Sequence, residues 1–189
     1  MCPKARAPDP AASAALRSPR ACAVRRPRPL QWDIPPGMTE LPPCGLYRTT
    51  AAIGPIPAKT LVYFHNHGNP GAGLYLPEAW RHNRAVFSEN GHTLPGPETI
   101  PLLEPLPAEG FYRVTEPFHC CDKQCRLFEP DTLVQLGYNG NGQAILFSPE
   151  LIDGMLALPE RGTAIDHQHF QHLRMLKVPV ARRPDSEHA

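Results

Sequence analysis

Short apolar runs broken by glycine and proline, with little helical periodicity, organise this chain. The runs "CGLYRTTAAI" (44–53) and "KTLVYFHNH" (59–67) are rich in β-branched and aromatic residues. They are separated by "GPIPA", and so predict two strands joined by a turn. "HGNPGAG" (67–73) reads as a loop by its turn-forming composition. "LPEAWRHN" (76–83) predicts one helical turn with Pro77 at its first position, and "RAVFSE" (84–89) a strand. Residues 90–110 form a long proline-stiffened connection, followed by strand-like "FYRVTEPF" (111–118) and "CRLFE" (125–129).

The clearest pattern spans 132–150, where two apolar runs flank Asn139-Gly-Asn-Gly142. Asn-Gly is a strong hairpin signal, because both residues tolerate positive φ. Alternation places Val134, Leu136 and Tyr138 on one strand face, with Ile145 and Phe147 expected to oppose them. "GMLALPERG" (154–162) predicts a short strand and turn. Thr163-Ala-Ile-Asp166 has capping-box form and predicts a helix over 164–173, and "RMLKVPV" (174–180) a last strand. The expected fold class is all-β, or β-dominated α+β: a small barrel or sandwich with one short C-terminal helix.

Composition sharpens this picture in two ways. Proline accounts for 25 of 189 residues, about 13% against roughly 5% in average usage, which disfavours long helices. Charge is unevenly spread: residues 1–37 hold seven Lys/Arg against two Asp/Glu, whereas 38–189 hold twelve against sixteen. The first 37 residues, poor in large apolar side chains, are expected to be a disordered basic leader. That leader reads either as an upstream extension with Met38 as the true start or as an Arg-rich organellar targeting segment. Residues 38–180 are then a single β-rich domain, and 181–189 a flexible tail. The acidic balance of 38–189 excludes a nucleic-acid surface. No apolar run is long enough for a membrane-spanning helix. Without a secretory h-region the expected location is cytoplasmic, or organellar if the leader is a transit peptide.

Three segments carry candidate chemistry. In "FHCCDKQCR" (118–126), His119, Cys120, Cys121 and Cys125 could, with the distant Cys44, supply the thiolate and imidazole donors of structural zinc. Only Cys121-x3-Cys125 has knuckle spacing, so a disulfide or a set of buried thiols remains open for the same residues. In Phe64-His65-Asn-His67, the two histidines share a strand face. Glu78 could complete a His/His/carboxylate triad of the kind that holds non-haem iron, manganese or zinc. This His-x-His pair is similar to that of the cupins. However, the glutamate lies eleven residues on, the usual glycine spacing is absent and no second motif follows, so the pair carries no family assignment. Third, His169 and His172 fall on one side of the predicted C-terminal helix.

No phosphate-binding glycine loop, nucleophile elbow or zinc-protease motif is present. With no complete catalytic constellation, the first expectation is a non-catalytic domain binding a protein or peptide. Tyr112, Phe128, Tyr138 and Phe147 would either line its groove or, as such residues more often do, belong to the core, and zinc would serve structurally. The alternative is a metal-dependent enzyme using His65, His67 and Glu78.

Overall fold

The computed structural model describes residues 5–6, 41–67 and 71–179. The expectations for the leader, beyond Ala5–Arg6, and for the C-terminal tail lie outside the described residues. Strands dominate, and no described helix is long and apolar enough to cross a membrane.

One sheet has the order β7 (His92–Thr93), β4 (Gly73–Tyr75), β3 (Leu61–His65), β2 (Gly45–Thr49), β8 (Leu103–Pro105). The other runs β1 (Ala5–Arg6), β16 (Arg161–Ala164), β13 (Ala144–Phe147), β12 (Leu133–Tyr138), β9 (Gly110–Val114), β17 (Leu173–Met175). All pairings are antiparallel. The two sheets do not close into a barrel; they face each other as a sandwich.

One core lies between the sheets. Leu46 and Leu61 reach it from the five-stranded sheet. Tyr112, Val114, Val134, Leu136, Tyr138, Ala144 and Leu146 reach it from the other. A second core sits on the far face of the five-stranded sheet, where Tyr47, Val62, Phe64 and Leu74 pack under Ile53, Ile56, Leu94 and Ile100. Strand β3 is therefore buried on both faces, which explains its unbroken Leu-Val-Tyr-Phe run in place of alternation. Burying side chains of this size contributes about 1.5–3 kcal/mol each.

The Asn-Gly hairpin forms between β12 and β13, closed by Asn139, whose side-chain oxygen accepts from the Asn141 and Gln143 N–H groups, both at 3.0 Å. Its register pairs Leu136 with Leu146 and Gly137 with Ile145. Ala144 and Leu146, rather than Ile145 and Phe147, thus share the face of Val134 and Leu136, because the loop is one residue longer than the alternation implied. Residues 77–81 are a strand, β5 (Pro77–Arg81), not a helical turn. They pair with β6 (Arg84–Phe87) through a turn in which His82 and Asn83 have φ of 50° and 63°, a primed hairpin geometry.

That hairpin clamps onto β12. The Trp80 indole N–H donates to the Tyr138 carbonyl at 2.7 Å, and the Asn83 amide donates to Gln135 Oε1 at 3.2 Å. A Cβ at position 137 would collide with the Asn83 carbonyl oxygen, so glycine is required there. Glu109 is buried beneath the clamp, with both carboxylate oxygens accepting from the Ala85 N–H at 3.1 and 3.0 Å. Burial pushes its pKa from 4.5 up to about 7, against the opposing pull of that N–H and of Arg84.

The predicted C-terminal helix is shorter and tighter, a 3-10 segment at His167–His172. Thr163 belongs to β16, paired with Leu146, and so cannot cap it. Within 90–110, a 3-10 turn (Pro97–Leu102) and β8 replace a plain connection.

Candidate metal centre

Two groups of side chains among the described residues bring three metal-ligating atoms within 4.8 Å of one another: Cys44 with His65 and His67, and Cys120 with Cys121 and Cys125. The structure thus separates Cys44 from the sulfur-rich segment and joins it to the histidines instead. His119 and Glu78 belong to neither group. His119 sits in β10 (Phe118–His119) opposite Leu127, with the neighbouring Cys120 turned the other way into the core. Glu78 lies exposed in β5.

Strand register creates the first group. In the β2–β3 ladder Gly45 faces Phe64 and Leu46 faces Tyr63, so one further step sets Cys44 opposite His65. Directly opposed residues share a face, and His67, two residues on, returns to it. On the other side of β3, His65 faces Gly73, over which the Tyr75 ring lies. Tyr63 and Tyr75 stand around His65, with ring centroids 6.4 and 6.3 Å away.

The contacts within this corner are short. Cys44 Sγ lies 3.0 Å from His65 Nδ1 and 3.6 Å from His67 Nδ1. The two imidazoles meet edge to face, their centroids 4.1 Å apart. Asn66, between them in sequence, bonds both Cys44 and His67. Its backbone N–H donates to Cys44 Sγ at 3.3 Å, and its Oδ1 accepts from the Cys44 thiol at 3.1 Å and from His67 Nδ1 at 2.7 Å. Its amide nitrogen donates to the Pro42 carbonyl at 3.1 Å, which fixes the side chain. Burial, reinforced by the nearby His67, holds the His65 pKa below the ordinary 6.5, so its imidazole is neutral at pH 7 and keeps a lone pair to donate. Burial and then the proximity of Cys44 push Tyr47 and Tyr63 upward.

The second group is local. Cys120, Cys121 and Cys125 lie in the turn joining β10 to β11 (Leu127–Phe128). The turn is closed by the Cys120 N–H donating to the Arg126 carbonyl at 2.9 Å and the Gln124 N–H to the Cys121 carbonyl at 2.9 Å. Cys120 and Cys121 sulfurs are 3.5 Å apart, and Cys121 and Cys125 sulfurs 3.9 Å. Cys125 is disulfide-bonded, which occupies its donor sulfur in this state.

The third segment does not gather a metal group. His169 and His172 stack on Phe118, with centroids at 4.7 and 5.5 Å. His172 also meets Glu116 at 3.2 Å, and His167 lies 3.1 Å from the Gly142 carbonyl. Of the two roles open to Tyr112, Phe128, Tyr138 and Phe147, groove or core, the structure shows the core: each is 5% exposed or less. Sequence reasoning missed two participants, Cys44 as partner of the histidines and Asn66 as their organiser. The usable signal was that Cys44 and His65 lie at the outer ends of two strands joined by a turn. Scans of family models, of curated proteins and of solved structures find no match for this chain.

Proposed function

We propose that this protein binds one borderline-soft divalent cation, zinc foremost, between Cys44, His65 and His67, and works through the coordination position that three protein donors leave over. The convergence of one thiol and two imidazoles across the β2–β3 ladder carries this reading. Thiolate with imidazole favours zinc or copper, whereas manganese prefers carboxylate and water, and Glu78 stands outside the group. Structural zinc sites close with four protein ligands; sites that act on a ligand keep three and a vacancy.

Cys44 would give up its proton to become the thiolate, with the Asn66 N–H supporting the negative sulfur. The Asn66 side chain, held by Pro42, would set the ring orientation of His67. When bound, zinc would supply Lewis acidity toward a water or a carbonyl or phosphoryl oxygen. Elemental analysis of the purified protein is expected to find one zinc per chain, and Cys44→Ala to remove it without unfolding. Full retention of metal in that variant would end the proposal.

Binding of another protein is the second reading, and one observation favours it. The hairpin of β14 (Glu150–Ile152) and β15 (Met155–Ala157) exposes Leu151 at 76% and Met155 at 72%, with Ile152 and Leu156 beside them. A second copy of the chain, meeting hairpin to hairpin about a two-fold axis, would bury either the Leu151–Leu156 face or the Ile152–Met155 face of each partner. Sedimentation velocity should then show a dimer that Leu151→Glu with Met155→Glu dissociates; a monomer at high concentration would remove this reading.

A further inference from the structure

Three Asn-Gly pairs occur in the chain, at 90–91, 139–140 and 141–142. Asparagine before glycine is the pair in which a backbone nitrogen most easily reaches a side-chain carbonyl, because glycine has no Cβ to crowd the approach. The fold locks two of the three. Asn139 Oδ1 accepts from the Asn141 and Gln143 N–H groups, both at 3.0 Å, which holds its side chain within the hairpin loop. For Asn141 the following nitrogen is engaged instead: the Gly142 N–H donates to the Asn139 carbonyl at 2.9 Å. Gly142 is held further by its φ of 66° and by the Arg48 side chain packed against it. At 90–91 neither lock is in place. Asn90 lies exposed in the bend between β6 and β7, where its backbone N–H donates to Ser88 Oγ at 3.1 Å. Neither its side chain nor the Gly91 N–H takes a hydrogen-bond partner among the described residues.

We propose that Asn90 is a site of spontaneous isoaspartate formation, with water as the only co-reactant. The Gly91 nitrogen attacks Asn90 Cγ. A nitrogen–Cγ bond forms, the Cγ–Nδ2 bond breaks, and the side-chain nitrogen leaves as ammonia, carrying off the proton that Gly91 gave up. Water then opens the cyclic imide at either carbonyl. Cleavage at the main-chain carbonyl of residue 90 routes the backbone through Cγ and gives isoaspartate, whereas cleavage at Cγ gives aspartate. One water enters and one ammonia departs, with no change of oxidation state. The product carries a new carboxylate and, as isoaspartate, an extra backbone carbon directly before Gly91. A Cβ on Gly91 would stand 2.7 Å from Tyr75 Cε1 and Cζ, so the chain here runs immediately beneath the Tyr75 ring. Tyr75 in turn stands 6.3 Å from His65, ring centroid to ring centroid. The modification therefore falls on the support of a tyrosine beside the Cys44 corner.

Peptide mapping tests this on the full-length protein. The protein is incubated at pH 8, folded or in urea, then reduced, alkylated, digested with trypsin at mildly acidic pH and analysed by mass spectrometry. Cleavage after Arg84, Arg113, Arg126 and Arg161 leaves Asn90 as the sole asparagine of peptide 85–113 and puts Asn139 and Asn141 in peptide 127–161. In the folded protein, peptide 85–113 is expected to gain the mass of an amide-to-acid exchange with time, with isoaspartate exceeding aspartate on fragmentation, while 127–161 stays unchanged. In urea both peptides should convert. Gly91→Ala, whose added carbon crowds the attacking nitrogen, should slow the conversion of 85–113 several-fold. The proposal is overturned if 127–161 converts as fast as 85–113 in the folded protein, if 85–113 converts only in urea, or if Gly91→Ala leaves the rate unchanged.

Discussion

Two corners of this molecule concentrate sulfur, and they are built in opposite ways. In the turn 120–125, three cysteines lie within six residues of sequence and need only a local bend to meet. In the Cys44 corner, the sulfur is 21 residues from His65, and only strand pairing brings them together. The local corner gives sulfur facing sulfur. The paired corner gives one sulfur and two nitrogens with an amide threaded among them, an arrangement suited to a cation. Density of reactive residues along a chain is therefore a poor guide to where mixed donors meet.

The largest expected effect comes from removing the sulfur of the paired corner. Cys44→Ala should abolish stoichiometric zinc binding in a competition titration, while Cys121→Ser should leave it unchanged. Equal losses in both variants would erase the distinction between the corners. Next, the paired corner depends on the ladder that forms it. Phe64 is fully buried one residue before His65, so Phe64→Ala should cost about 3–5 kcal/mol in urea unfolding and weaken zinc binding, with the cysteine turn keeping its thiol reactivity.

Glu109 offers a pH handle on the β5–β6 clamp. Its folded-state pKa of about 7 lies above the ordinary 4.5. The folded protein therefore holds this proton more tightly than the unfolded chain. The resulting stabilisation is complete below pH 4.5 and is lost as pH rises to 7, a difference of about 3 kcal/mol. Glu109→Gln should flatten that portion of the stability profile, leaving stability near that of the wild type at pH 4.5 and raising it by about 2–3 kcal/mol at pH 8. Urea titrations at the two pH values measure both. A smaller effect is expected from Asn66→Ala, which keeps the backbone N–H but removes the amide that orients His67. Zinc affinity should fall by about tenfold to a hundredfold, the usual loss for an outer-shell partner, with no change in the unfolding midpoint of the zinc-free protein.

Much of the sandwich was legible in the sequence because its strands announce themselves through turns. Asn139–Gly142 forecast the β12–β13 hairpin, and "GPIPA" separated β2 from β3. Legibility failed where tertiary contact overrides local preference. Pro77 and Glu78 resemble a helix start, yet Trp80 bonding to Tyr138 and Asn83 bonding to Gln135 hold that segment as a strand hairpin. Thr163 resembles a helix cap but is spent on pairing with Leu146. At the candidate centre, the alternation rule placed His65 and His67 on one face, and the structure sets both imidazoles against Cys44 Sγ. Cys44 was not paired with them because register across an irregular turn is not fixed by composition. Asn66 was invisible for a different reason: its role comes from three hydrogen bonds that exist only after the strands have paired.

X-ray absorption spectroscopy of the zinc-loaded protein tests the central claim most directly, because it counts sulfur against nitrogen around the metal. The Cys44–His65–His67 corner predicts one sulfur at about 2.3 Å and two nitrogens at about 2.0–2.1 Å, with a further light atom from solvent. A shell of two or three sulfurs would place the metal in the cysteine turn and contradict the account.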